Sequence, residues 1–135
     1  MEPYALDERL ASDSQSLAHL ELCDVRLARD SRWPWVILVP RRPDVSEIFD
    51  LSEEEQSLLA QEQVHVAKAL KAMTGADKIN IAAIGNVVRQ LHVHVVARFE
   101  GDENWPRPIW GHGTPVPHTD ETFNQMANKL RGLLQ

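Results

Sequence analysis

The sequence predicts an α+β domain built on a mainly antiparallel sheet. Three observations lead there. Arg89 to Arg98 alternates polar and apolar residues with period two, the pattern of a strand with two unlike faces. A long amphipathic stretch in the middle of the chain carries a start and a stop signal for a helix. The remaining strand-like runs come in neighbouring pairs, with helices between and after them. That order favours segregated helices over a doubly wound sheet.

The 135 residues form one domain, 1–135, large enough for a single core. With 43% hydrophobic and 25% charged residues, the composition is that of an ordinary globular protein. A net charge of −6 argues against a general nucleic-acid surface. Cys23 is the only cysteine, so no internal disulfide or cysteine-based zinc site can form. No apolar run approaches the ~18–20 residues of a membrane span. The N-terminal residues, with Glu2 and Asp7, lack a signal-peptide pattern, and the expected location is the cytoplasm.

Leu6–Ala11 suggests a short helix, and Asp13–Ser16 reads as a loop. From Leu20 to Ala28, Leu22, Val25 and Leu27 mark a strand. Trp35 to Val39 is an almost unbroken apolar run, a buried central strand stopped by Pro40. The two make a hairpin across Arg29–Arg32. Ser52-Glu53-Glu54-Glu55 is a capping box, with three acidic residues favourably placed in the first turn. The helix should run from Glu53 to about Met73, with Leu58, Leu59, Val66, Ala69 and Leu70 on its apolar stripe, and stop at Gly75. His65 on this helix reads as a partly exposed residue without a metal partner. Lys78–Ala82 is a short strand, and Ala83–Asn86 turns into a strand over about Val88–Arg98. Residues 99–117 hold two Trp, four Pro and three Gly, which excludes regular structure, yet Trp105, Ile109 and Trp110 are too apolar to lie free. This segment reads as an ordered flap. Thr119 caps a last helix, 119–134, whose apolar residues run from Phe123 to Leu134 at helical spacing.

Within the alternating strand, Gln90, His92 and His94 should share one face, with Leu91, Val93 and Val95 on the core side. A strand that only needed a polar face has no use for two imidazoles and an amide in a row. Arg89 and Arg98 read as surface ion-pair residues, and His112 and His118 as exposed loop residues.

Gly85-Asn86-Val87-Val88-Arg89-Gln90-Leu91-His92-Val93-His94-Val95-Val96 resembles the histidine triad (HIT) signature, in which a Gly-Gln-(Ser/Thr)-Val turn leads into His-φ-His-φ-His-φ-φ, φ being hydrophobic. The hairpin ending in Val-Pro-Arg, the capped helix and the short Asn-bearing strand come in the family's order, and the resemblance covers about residues 20–100. It implies a HIT-like fold, a mainly antiparallel sheet of about five strands with a long central helix and a C-terminal helix. It also implies nucleotidyl transfer or hydrolysis at the α-phosphate of a purine nucleotide conjugate, a dinucleoside polyphosphate or a nucleoside phosphoramidate, and usually a homodimer.

By that resemblance His92 is the nucleophile that forms a covalent nucleotidyl-histidine. Its other ring nitrogen should donate to a backbone carbonyl. His94 matches the third triad histidine, which hydrogen-bonds a phosphate oxygen. Gly85 and Asn86 match the phosphate-contacting turn, Asn80 the Asn of the preceding strand, and Asp30 the acidic residue that holds the ribose hydroxyls, unless it is a plain turn residue. Two departures stand out. Gln90 occupies the first triad position and cannot titrate, and Val87 replaces a hydroxyl residue near the leaving group. Trp105 and Trp110 are read either as core or dimer-interface residues or as flap contacts to a base. No cofactor is required, though Mg²⁺ would accompany a polyphosphate. Two alternatives remain: a non-catalytic nucleotide-binding regulator, and a metal enzyme using His92-x-His94, which would need a third ligand.

Overall fold

A computed structural model describes residues 3–135. The elements run α1 (Glu8–Asp13), β1 (Ser14–His19), β2 (Cys23–Ala28), β3 (Trp35–Pro40), a 3-10 turn (Ile48–Asp50), α2 (Glu53–Thr74), β4 (Lys78–Ala82), β5 (Val93–Arg98) and α3 (Asp120–Leu134). The five strands form one sheet in the order β1-β2-β3-β5-β4, each neighbour antiparallel. The fold is the α+β architecture that the sequence predicts.

The sheet has two unlike faces because its central strands alternate. Val25, Leu27, Val36, Leu38, Val93 and Val95 project to one side and pack with Val66, Leu70 and Leu130 of α2 and α3. The opposite side carries Arg26 and Asp24 of β2, Trp35 and Ile37 of β3, and His94 of β5. That side is covered by the chain's two irregular parts, the N-terminal segment with α1 (Leu10 against Ile37 and Val39) and the Trp-rich segment (Ile109 against Trp33 and Val96).

Helix α2 forms where its signals place it. The Ser52 hydroxyl accepts from the Glu55 amide at 3.1 Å, Glu55 accepts from the Ser52 amide at 2.9 Å, and Gly75 ends the helix in the left-handed region at φ 70°. Buried Glu62 accepts from the Leu22 and Cys23 amides, both at 2.8 Å, pinning the start of β2 to the helix.

The expected loop at Asp13–Ser16 is instead the start of β1. Ser14 and Ser16 face the polar side of the sheet, where Ser14 accepts from Arg26 and Ser16 donates to Asp24. A strand whose outward partners are charged shows no apolar alternation to read. The expected strand over Val88–Arg98 is shorter, because β4 ends at Ala82, opposite His94, and leaves nothing on that side for earlier residues to pair with. The Leu91 amide turns away and donates to the Val45 carbonyl.

Arg98 is not a surface residue. Its side chain is 1% exposed and is held in a two-bond fork by Asp102, at 2.8 Å each. Its remaining nitrogen donates to the Arg107 carbonyl at 2.8 Å and to Asn80 at 3.2 Å. This guanidinium is the post around which residues 99–107 wrap. The indole of Trp33 donates to the Glu103 carbonyl, and Arg32 reaches both Glu103 and the His112 carbonyl, so the segment is tied down at both ends.

Candidate active site

The outer face of the sheet, α1 and the Trp-rich segment enclose a cavity of about 580 Å³. That volume suits a small-molecule ligand. Its floor is Ala28, Trp35, Ile37 and His94. Its walls include Leu10 and Arg9 of α1 on one side, and Ile109, Trp110 and His112 on the other. His92 stands at one end, where it also borders a second cavity of about 320 Å³ beside Phe49, Ile84, Gly85 and Arg89.

His92 and His94 are brought together, with ring centres 4.9 Å apart at 74°. Both are 7% exposed. His92 lies just before β5, so its proximity to His94 comes from the irregular approach rather than from strand alternation. Its Nδ1 lies 2.7 Å from the Gln90 carbonyl. A carbonyl only accepts, so Nδ1 carries a proton, and in the neutral ring Nε2 keeps its lone pair. His94 is flanked by the indoles of Trp35 and Trp110, at 5.6 and 5.5 Å between ring centres. Burial, aided by the neighbouring His92, pushes the His94 imidazole down to about pKa 4, so it is neutral at physiological pH.

That depressed value has a consequence for stability. Between pH 6.5 and 4 the unfolded chain binds a proton at residue 94 that the folded protein refuses. Stability therefore falls as pH drops from 6.5 to 4, by ~3 kcal/mol at most from this residue at 1.36 kcal/mol per unit. His118, also lowered by burial, adds in the same direction. Urea midpoints of the protein and of His94→Gln at pH 7 and 4.5 test this. The variant is expected to lose much of the pH dependence, and an unchanged dependence would refute it.

The other sequence-predicted site residues divide. Asp30 borders the cavity, 7% exposed, with Arg32 donating to both of its oxygens and the Val116 amide to one. Burial alone would raise its carboxyl, but these bonds outweigh that and hold it below the usual range. A ligand hydroxyl can reach it only by displacing one of them. Trp110 lines the cavity and Trp105 does not. Its ring lies over the Arg98 guanidinium at 5.4 Å, a packing role. Asn80 serves the same guanidinium rather than the cavity. Gly85 holds φ 67° and borders the smaller cavity, while Asn86 and Val87 are exposed, Val87 at 74%. Gln90 does not join the histidines: its amide accepts from the Asp7 amide at 2.8 Å and donates to the Ala5 carbonyl at 2.9 Å. It fastens the N-terminal segment to the approach strand. His112, expected to be an exposed loop residue, lines the cavity and contacts Glu103 at 3.3 Å. Arg9, Trp35 and Ile37 carry no mark of site residues in the sequence, because nothing local links them to residue 94.

A HIT domain family model matches residues 9–101. The chain belongs to the histidine triad family. This HIT protein is similar over nearly its whole length to three crystallised relatives. A histidine triad protein from Bradyrhizobium japonicum is 43% identical, with a TM-score of 0.97, over 99% of this chain and 100% of that one. One from Sinorhizobium meliloti is 50% identical, with a TM-score of 0.93, over 96% of each chain. One from Marinobacter aquaeolei is 44% identical, with a TM-score of 0.95, over 98% and 97%. A comparison with curated proteins finds no match. HIT proteins bind nucleotides and are typically nucleotide hydrolases or transferases. No described helix is long and apolar enough to cross a membrane.

Proposed function

We propose that this HIT protein cleaves a purine nucleotide conjugate at its α-phosphate through a covalent nucleotidyl-His92. The observation that carries the reading is the His92 Nδ1 contact to the Gln90 carbonyl, which leaves Nε2 bare beside a cavity of nucleotide size. In the first step Nε2 attacks phosphorus and the bond to the leaving group breaks; the leaving group keeps the electron pair, and where it is an amine it takes up a proton from solvent as it departs. In the second, water attacks the same phosphorus, the P–Nε2 bond breaks with its electron pair returning to Nε2, and the water proton passes to solvent, leaving neutral His92 and free nucleoside monophosphate. Splitting one displacement at a charged phosphate in two lowers each barrier.

His94 donates to a non-bridging oxygen. The apolar floor and Trp110 hold the base, and Asp30 with Arg32 meets the sugar. Gly85 and Asn86 approach the phosphate from the turn. Gln90, at the first triad position, acts through its backbone carbonyl. The substrate is a dinucleoside polyphosphate or a nucleoside phosphoramidate. Mg²⁺ accompanies a polyphosphate substrate, and the nucleophilic step itself does not call on it. The protein is proposed to work as a cytoplasmic homodimer.

A second reading, a nucleotide-binding regulator, draws support from Gln90 and Val87, neither of which can pass a proton to a leaving group. Metal chemistry at His92-x-His94 fits less well, since it needs a third ligand and no group of three candidate ligands occurs among the described residues. The test is release of nucleoside monophosphate from a diadenosine polyphosphate and from an adenosine phosphoramidate, with and without Mg²⁺, alongside calorimetric binding of the monophosphate. Turnover supports the enzyme. Binding without turnover supports the regulator and overturns the proposal.

A further inference from the structure

The indole nitrogen of Trp35 lies 3.0 Å from Nδ1 of His94. The two residues are 59 positions apart in the chain and meet because β3 and β5 are neighbours in the sheet. An indole N–H only donates, so Nδ1 of His94 must accept. A neutral imidazole whose Nδ1 accepts carries its single proton on Nε2. His92 shows the reverse arrangement, because its Nδ1 donates to a carbonyl. The two adjacent rings are therefore held in opposite tautomers by two different partners.

We propose that Trp35 is a positioning residue that fixes His94 as the Nε2–H tautomer, so that the paired histidines offer the cavity one hydrogen-bond donor and one bare lone pair. The opposite tautomer of His94 would aim a lone pair at an anionic ligand oxygen and repel it. A doubly protonated His94 would set an N–H against the indole N–H, so the same contact disfavours the cation. The groups that face His94 are Trp35, Trp110 and His92, and no carboxylate hydrogen-bonds to it among the described residues. Among the described residues no other group hydrogen-bonds to the ring to select between its tautomers. The Trp35 ring also packs against the apolar clusters on this face, so a purely space-filling role is the competing explanation.

The tautomer claim stands on the geometry alone, and its use in turnover rests on the nucleotidyl-transfer reading above. The test separates them. Two-bond ¹H–¹⁵N spectra of the histidine rings, with residues 92 and 94 resolved by His→Gln variants, report which nitrogen of each is protonated. Wild-type protein at pH 7 is expected to show His94 protonated on Nε2 and His92 on Nδ1. Trp35→Phe removes the donor and keeps an aromatic ring with most of the volume. It is expected to retain the fold and to shift His94 to a mixture of tautomers. Turnover should fall about tenfold in kcat, with a smaller change in KM, as for the loss of one oriented hydrogen bond. In a His94→Ala background the same change is expected to have no further effect. A wild-type His94 protonated on Nδ1 would overturn the proposal without any variant. So would an unchanged tautomer in folded Trp35→Phe, or an equal loss of kcat in the His94→Ala background. If wild-type protein turns nothing over but shows the expected tautomers, the proposal stands and the catalytic reading fails.

Discussion

Replacing His92 with Ala is expected to lower turnover of a nucleotide conjugate by at least ~10⁴-fold, the scale on which removing a covalent nucleophile acts. Binding of nucleoside monophosphate should change only a few-fold. The asymmetry follows from where His92 stands. It occupies one end of the 580 Å³ cavity, whereas the floor and walls that hold a ligand come from Ala28, Trp35, Ile37 and Trp110. The ring makes one described hydrogen bond, from Nδ1 to the Gln90 carbonyl, and no strand pairing depends on its side chain. Loss of binding and turnover together would mean that His92 shapes the pocket rather than reacting in it.

The largest expected effect on stability comes from Asp102→Ala. The Arg98 guanidinium is 1% exposed and donates two charge-assisted bonds to Asp102, while Asp102 also accepts from the Phe99 amide at 3.0 Å. Burial alone would raise the Asp102 carboxyl, but Arg98 outweighs it and holds the group below its usual range. Removing the carboxylate leaves a buried cation with only two neutral acceptors, Asn80 and the Arg107 carbonyl. Breaking a buried pair in this way costs ~3–5 kcal/mol, against a typical total of ~5–15 kcal/mol. A fall in Tm of roughly 10–20 °C is expected. The double change Arg98→Met with Asp102→Leu should recover much of it, because the cost lies in the orphaned charge. Thermal and urea unfolding of the three variants check this, and a loss below ~1 kcal/mol for Asp102→Ala would show the pair to be solvated. The effect should reach the cavity as well, since Arg98 anchors the segment that carries Ile109 and Trp110.

How much of this was legible in the sequence depended on whether the signal was local. Helix α2 was, because Ser52, Glu55 and Gly75 write both its ends in the backbone chemistry of a few residues. The apolar half of β5 was too, because alternation is a local pattern. β1 was not, because Ser14 and Ser16 face Arg26 and Asp24, and a strand with charged partners on its outer side looks like a loop. Strand geometry puts Gln90 with the histidines only if it extends past the point where β4 stops pairing, and it does not. Arg98 looked like an exposed charge because its partner Asp102 lies in a segment with no regular pattern. The two tryptophans of that segment were indistinguishable by composition; only the fold puts Trp110 at the cavity and Trp105 over Arg98. The Trp35 contact to His94 is a property of two strands being neighbours, and no stretch of sequence contains it.

The central claim is that His92 forms a bond to phosphorus. Intact mass of the protein, quenched after mixing with an adenosine phosphoramidate or a diadenosine polyphosphate, reads that bond directly. A species heavier by one adenylyl group, mapped to His92 and absent from His92→Ala, is the predicted result. Turnover with no such adduct at any quench time, or an adduct that persists in His92→Ala, would contradict it.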